Sequence, residues 1–219
     1  MTYILIFLAL LAAALLLLYY YGLYFAALYL AYFIMIFCVL ALVLLITHFY
    51  RVVILGNAPY IRTGKKLIER IIQEIDFSAK GGSASGGKAN ARVYELGSGD
   101  GRFLRALAKK KKVQAVGYEN FILPYVLSRI FKFLTHSDVN IWYQDFFRAD
   151  LSQADYVFCY LIGRQMDNLE AKLQKELKPG ALVISNTFKF KNWPLAKEII
   201  IDPKKKYSLS NKIYLYRKV

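Results

Sequence analysis

The chain of 219 residues carries 30 basic and 15 acidic side chains, a formal net charge of +15, and 57% of it is hydrophobic. No Lys, Arg, Asp or Glu occurs in the first fifty residues, so all the charge sits in the remaining stretch of about 170 residues, one domain of ordinary size. This division argues against a wholly soluble chain, and the presence of only two cysteines, Cys38 and Cys159, excludes a disulfide-built scaffold.

Thr2 to Thr47 is apolar throughout and too long for one span, because a bilayer core takes about 20 helical residues. Tyr19-Tyr20-Tyr21-Gly22 and Tyr24 interrupt the aliphatic run. Tyrosine favours the membrane–water interface, and glycine permits a tight turn. The pattern predicts a transmembrane helical hairpin, with spans at about 3–20 and 25–47; one long tilted helix is the alternative. The length of the run and the lack of basic residues before it argue against a secretory signal peptide. Arg51, Arg62, Lys65 and Lys66 follow the second span, which places the charged domain on the cytoplasmic or matrix-like side. A hairpin returns Met1 to that same side.

Residues 51–91 read as a connecting segment. Leu67, Ile68, Ile71, Ile72 and Ile75 share one helical face, with Thr63 as the expected N-cap. Ser78 to Asn90 is rich in Gly, Ser, Ala and Lys and reads as a surface loop. Gly82 to Lys88 imitates the spacing of a P-loop. However, Ala89 stands where magnesium needs a hydroxyl, and no strand precedes it, so nucleoside triphosphate binding is rejected.

Residues 92–219 alternate strand and helix signals. Arg92–Leu96 runs into Gly97, Gly99 and Gly101, and Phe103, Leu104, Leu107 and Ala108 then recur at helical spacing. Strand, glycine turn and helix together bring bare backbone and a helix N-terminus against a nucleotide-like ligand. Arg102 occupies the position where a dinucleotide fingerprint needs a small residue, so the spacing is not that of a dinucleotide site. Val113–Tyr118 is the second strand, ended by Glu119, whose two carboxylate oxygens suit a pair of ribose hydroxyls. Val139–Tyr143 is the third, followed by Asp145 and Phe146. Tyr156–Leu161 is a fourth, near-continuous apolar run of the kind covered on both faces. Met166, Leu169, Leu173 and Leu177 mark a helix that Pro179-Gly180 stops. Ala181–Ser185 is the fifth strand, and Lys197–Ile201 and Lys212–Tyr216 close the sheet as an antiparallel pair. This order predicts an α/β, doubly wound, mostly parallel seven-stranded sheet, whose ligand sits beyond the carboxyl ends of the strands.

Glu95 with Gly97-Ser98-Gly99-Asp100-Gly101 resembles motif I of the class I S-adenosylmethionine-dependent methyltransferases. The resemblance implies a Rossmann-like fold with S-adenosylmethionine as cofactor. It also implies that Glu95 holds the cofactor's amino-acid end, that Gly97, Ser98, Gly99 and Gly101 pass beneath it, and that Asp145 and Phe146 meet the adenine. Asn57-Ala58-Pro59-Tyr60, Lys65 to Arg70, Gly117-Tyr118-Glu119, Asp150-Leu151-Ser152 and Asp155 to Phe158 narrow the likeness. They resemble a family of membrane-anchored lysine methyltransferases that includes enzymes acting on the ATP synthase c-subunit and the adenine nucleotide carrier. The chain departs from that family at Gly64 and Gly163, where proline is common, and in its two-span anchor.

The expected function is thus methylation of a lysine on a membrane protein, with the bilayer as a partner. A lipid or small-molecule methyltransferase and a non-enzymatic membrane adaptor are the alternatives. No metal and no nucleic-acid partner is expected, since no strand face interleaves aromatic and basic residues. Lys109–Lys112 and Lys204–Lys206 are the densest basic runs and suit anionic headgroups or a solvated surface. In-line methyl transfer asks for alignment and exclusion of water rather than a dedicated base. Tyr160, at the end of the fourth strand, is the candidate for lining the acceptor channel. Asn186, Thr187 and Trp193 are further candidates, whereas His136 and His48 read as a surface and a membrane-edge residue.

Overall fold

The computed structural model describes residues 2–54, 61–77, 90–162, 164–202, 204 and 211–219. Asn57–Tyr60, residues 78–89 with the P-loop look-alike, Gly163, and Lys205 and Lys206 lie outside these residues.

Helix α1 runs from Thr2 to Phe49 without a break and continues into a π-helical turn, Tyr50–Ile54. The hairpin expected around Gly22 is therefore corrected: the helix passes straight through it. The physical reason is that one glycine costs a helix only about 1 kcal/mol, and no proline or charged residue adds to it. At 1.5 Å per residue, the 48 residues extend about 72 Å. A hydrocarbon core of about 30 Å takes up less than half of that, so the stretch Ile6–Ile54 is long and apolar enough to cross a membrane.

The second unit, Leu55–Val219, holds helix α2 (Lys65–Glu74), strand β1 (Ala91–Leu96), α3 (Arg102–Lys110), β2 (Val113–Glu119), α4 (Ile122–Thr135) and β3 (Val139–Tyr143). A short 3₁₀ turn (Phe146–Arg148), β4 (Tyr156–Cys159), α5 (Arg164–Glu176), β5 (Leu182–Asn186), β6 (Lys197–Ile200) and β7 (Lys212–Arg217) follow. The seven strands form one sheet in the order β3-β2-β1-β4-β5-β7-β6. β7 runs antiparallel to both neighbours and every other pairing is parallel. The expected topology and the antiparallel closing pair are both present.

Apolar side chains cover both faces. On one, Leu67, Ile68, Ile71 and Ile72 of α2 and Phe103, Leu104 and Leu107 of α3 pack with Val93, Ile141 and Phe158. On the other, Met166, Leu169 and Leu173 of α5 pack with Leu96, Val157, Val183 and Tyr216. Helix α2 thus belongs to the core of this unit, and the Tyr156 hydroxyl ties its exit by donating to the Asp76 carbonyl at 2.6 Å. The expected cap shifts by one residue: Gly64 is the N-cap of α2, with no side-chain bond, and buried Thr63 is turned toward the sheet's carboxyl edge. The strand order reverses between β1 and β4, and a crevice opens at that edge.

Candidate active site

The crevice is an open cleft lined by polar and apolar groups from the carboxyl ends of the strands. Its floor is the turn after β1. The N–H groups of Gly97 and Ser98 both donate to the Tyr118 carbonyl at 2.9 Å, which fastens the turn to β2. The turn then passes through left-handed conformations at Gly97, Gly99 and Gly101 (φ +72°, +55° and +74°), which side chains with a Cβ adopt at a cost. Gly101 is the N-cap of α3. Gly117 on β2 matters for a different reason: a Cβ there would stand 2.7 Å from Ser98 Oγ and 2.9 Å from Leu104 Cδ1. Only a bare backbone lets β2 lie this close beneath the turn, a requirement that the strand pattern alone did not reveal.

Three carboxylates surround this turn, and all are buried: Glu95, Asp100 and Glu119. Asp100 is neutralised from two sides, by Arg62 at 3.0 Å and by Arg102 at 3.5 Å. Glu119 accepts the Gly99 N–H and the Phe121 N–H, both at 2.7 Å. Glu95 differs: its Oε2 is buried with no hydrogen-bond partner among the described residues, as is the Ser98 hydroxyl. Burial, and then the nearby charges of Asp100 and Glu119, push the Glu95 carboxyl well above the usual carboxylate range. A buried carboxylate oxygen left without a hydrogen bond is costly, and a cationic group placed in the cavity relieves it.

Of the residues expected from the sequence, Glu95, Gly97, Ser98, Gly99, Glu119, Phe146 and Tyr160 line the cavity together. Gly101 does not line it; as the N-cap of α3 it sits against Ile141 and Arg105. Asp145 does not line it; its Oδ1 accepts the Phe147 N–H at 2.9 Å and caps the 3₁₀ turn that presents Phe146. Asn186, Thr187 and Trp193 are also absent from the wall. Trp193 is buried in the core on the α5 face, and its indole N–H donates to the Arg217 carbonyl at 3.2 Å. His136 caps the C-terminus of α4 in a left-handed conformation, away from the cavity. Ile61, Arg62 and Thr63 complete the wall with Asn120, Phe121 and Gln165, none of which carried a sequence signal for this site. The segment 61–63 is held there by the Arg62–Asp100 pair and by the Arg102 guanidinium, which donates to the Thr63 carbonyl at 3.3 Å.

Comparison with known proteins agrees with this geometry. The family described as the ANTKMT methyltransferase domain matches residues 95–197. A protein-lysine N-methyltransferase of Saccharolobus islandicus is 31% identical over 163 residues, covering 73% of this chain and 93% of the relative. The lysine N-methyltransferase of the ATP synthase c-subunit from Xenopus laevis is 36% identical over 103 residues, 46% of this chain; the match spans 45% of that relative, just under half its length. Among solved structures, an RNA methyltransferase of Salinibacter ruber, in complex with S-adenosyl-L-homocysteine, shares the fold with a TM-score of 0.60 and 24% identity, covering 72% of this chain and 93% of that one. Together with the glycine turn, these likenesses establish that the chain belongs to the S-adenosylmethionine-dependent protein-lysine N-methyltransferases, with residues 95–197 similar to the ANTKMT methyltransferase domain.

Proposed function

We propose that this lysine methyltransferase is held at a membrane by α1 and methylates a lysine of a membrane protein. The observation that carries the cofactor part is the unpartnered Glu95 Oε2 beside the unpartnered Ser98 hydroxyl on the cavity wall. When bound, S-adenosylmethionine supplies a methyl group on a sulfonium, and it brings two positive centres that suit a site ringed by acids. Glu95 would hold the ammonium end, Glu119 the ribose hydroxyls, and Phe146 would flank the adenine.

The chain's own residues then have three tasks. Glycine-turn backbone and Glu119 orient the donor in line with the acceptor. Ile61, Phe121, Phe146 and Leu161 keep water from the reacting atoms. Tyr160, just past β4 on the same wall, lines the path of the incoming lysine. An unperturbed lysine has a pKa of about 10.4, and the partly apolar wall favours its neutral amine.

The anchoring part is supported by the length and apolarity of Ile6–Ile54 and by a relative named for the ATP synthase c-subunit. One crossing by about residues 25–47 sets the tyrosine cluster at the far interface. Arg51, Lys65 and Lys66 then mark the cytoplasmic or matrix-like side, which holds the catalytic domain. The test is to incubate the purified protein with methyl-labelled S-adenosylmethionine and its own membranes. Label in methyl-lysine of a membrane protein supports the reading; label in the lipid extract replaces it with a lipid methyltransferase.

A further inference from the structure

Helix α4 is built inside out. Ile122, Leu123, Val126, Ile130, Phe133 and Leu134 fall within about 120° of arc at 3.6 residues per turn, and all six are exposed, Leu123 by 61%, Leu134 by 64% and Phe133 by 77%. The residues turned to the sheet are the small Pro124 and Ser128, which are buried. An amphipathic helix on a globular domain ordinarily buries its apolar stripe; this one presents it to solvent. A contiguous exposed apolar face of this kind marks an interaction surface.

The charges around it identify the partner. α4 contains no acidic residue, and Arg129 and Lys132 flank one margin of the apolar arc. Helix α3 is its neighbour on the same face of the sheet, with the Arg105 guanidinium 5.1 Å from the Phe131 ring, and α3 runs out into the exposed Lys109–Lys112. An apolar ridge bordered by lysine and arginine is the pattern of a helix that lies in the plane of an anionic bilayer, its side chains among the upper acyl chains and its cations at the headgroups. Phe121, which lines the cavity, immediately precedes the first turn of α4.

We infer that α4 is a membrane-docking helix: its face inserts into the surface of an anionic bilayer, and the mouth of the active site is thereby held against that surface. This rests on the reading of α1 as a membrane anchor, which keeps the domain at high effective concentration near lipid.

The test uses the full chain in lipid nanodiscs of phosphatidylcholine with phosphatidylglycerol, containing acyl-chain brominated lipid as a quencher. Cys38→Ser removes the exposed thiol, and Cys159 is buried. A fluorophore is then placed singly by Ile130→Cys on α4, by Phe33→Cys on α1, or by Lys197→Cys on β6 at the opposite sheet edge. The expected result is several-fold quenching at positions 130 and 33 and none at 197, with the quenching at 130 falling when phosphatidylglycerol is replaced by phosphatidylcholine. Quenching at 33 but not at 130 overturns α4 docking and leaves the anchor standing. Quenching at neither removes the anchor reading and the docking with it. Equal quenching at all three positions overturns a specific docking face. Shielding of position 130 in protein-rich native membranes but not in lipid discs assigns the face to a protein partner instead.

Discussion

The carboxylate of Glu119, at the end of β2, accepts the backbone N–H of Gly99 at 2.7 Å across the turn that follows β1. Its other oxygen accepts the Phe121 N–H, also at 2.7 Å. One side chain therefore sets both the floor of the cavity and the entry to α4, and in the proposed function the same carboxylate meets the ribose hydroxyls.

Glu119→Ala removes both of these bonds together with any to the cofactor. Hydrogen bonds to a charged group contribute about 1.5–3 kcal/mol each, so affinity for S-adenosylmethionine should fall by a factor of ten or more per bond lost. Glu119→Gln keeps the side-chain carbonyl as an acceptor and should lie between the two. Isothermal calorimetry that finds all three proteins equal in affinity would remove Glu119 from the site.

Glu95 predicts a trade between stability and function. Its carboxyl is raised from the ordinary 4.5 by burial first, then by Asp100 and Glu119. A raised acid holds its proton more tightly in the folded state, so the fold loses stability as pH climbs from about 4.5 to the raised value and bears the full cost above it. Glu95→Gln should leave the cofactor-free melting temperature unchanged below pH 4.5 and raise it at pH 8. With a buried, hydrogen-bond-deficient polar group costing about 1–3 kcal/mol or more, and about 2–4 °C per kcal/mol for a domain this size, the gain is several degrees. The same variant should bind S-adenosylmethionine far more weakly, and its affinity should lose the rise with pH that deprotonation of Glu95 gives the wild type. Thermal melts and titrations at the two pH values check both halves.

Gly117 is a packing prediction. Placing a methyl group 2.7–2.9 Å from Ser98 and Leu104 forces the glycine turn off β2, and overpacking of this kind costs about 1–3 kcal/mol. Gly117→Ala should lower the denaturation midpoint and weaken cofactor binding together, whereas Gly180→Ala, whose added Cβ meets nothing within 4 Å, should leave binding unchanged and lower stability only through its positive φ. Chemical denaturation with parallel binding measurements separates the two effects.

Much of this site could be read from residue order. The strands of the sheet are short runs rich in apolar residues punctuated by glycine and acid, and a doubly wound topology admits few other arrangements of them. The turn after β1 announced itself because its glycines are needed where they stand. Other features were hidden for identifiable reasons. A stretch of leucines and tyrosines has the same composition whether it forms a hairpin or one helix, and a lone Gly22 decides nothing. Ile61–Thr63 reach the cavity because Arg62 pairs with Asp100 and Arg102 holds the Thr63 carbonyl, long-range contacts that no local pattern encodes. The direction of the apolar face of α4 depends on the small Pro124 and Ser128 meeting the sheet, which residue order does not encode. Asp145 follows β3, yet its side chain caps the 3₁₀ turn, and Phe146 rather than Asp145 lines the cavity wall.

Tyr160 tests the acceptor channel. If its ring guides the lysine, Tyr160→Ala should raise KM or lower kcat for the protein substrate by about tenfold, the range expected when a positioning contact of roughly 1.4 kcal/mol is lost. The dissociation constant for S-adenosylmethionine should stay within twofold. A matching loss of cofactor affinity would place Tyr160 against the cofactor instead.

Topology provides the last prediction. A hairpin puts both ends of the chain on one side of the membrane; the uninterrupted helix Thr2–Phe49, crossing once, puts them on opposite sides. In the proposed orientation the basic residues after the helix keep the domain on the cytoplasmic side, so residue 2 is expected outside and residue 219 inside. In a Cys38→Ser background, a membrane-impermeant thiol reagent applied to intact cells should label Thr2→Cys and spare Val219→Cys, and permeabilisation should expose the second. Protection of both ends in intact cells would restore the two-span arrangement. Labelling of residue 219 with protection of residue 2 would invert the orientation and move the active site away from the compartment in which the cofactor is made.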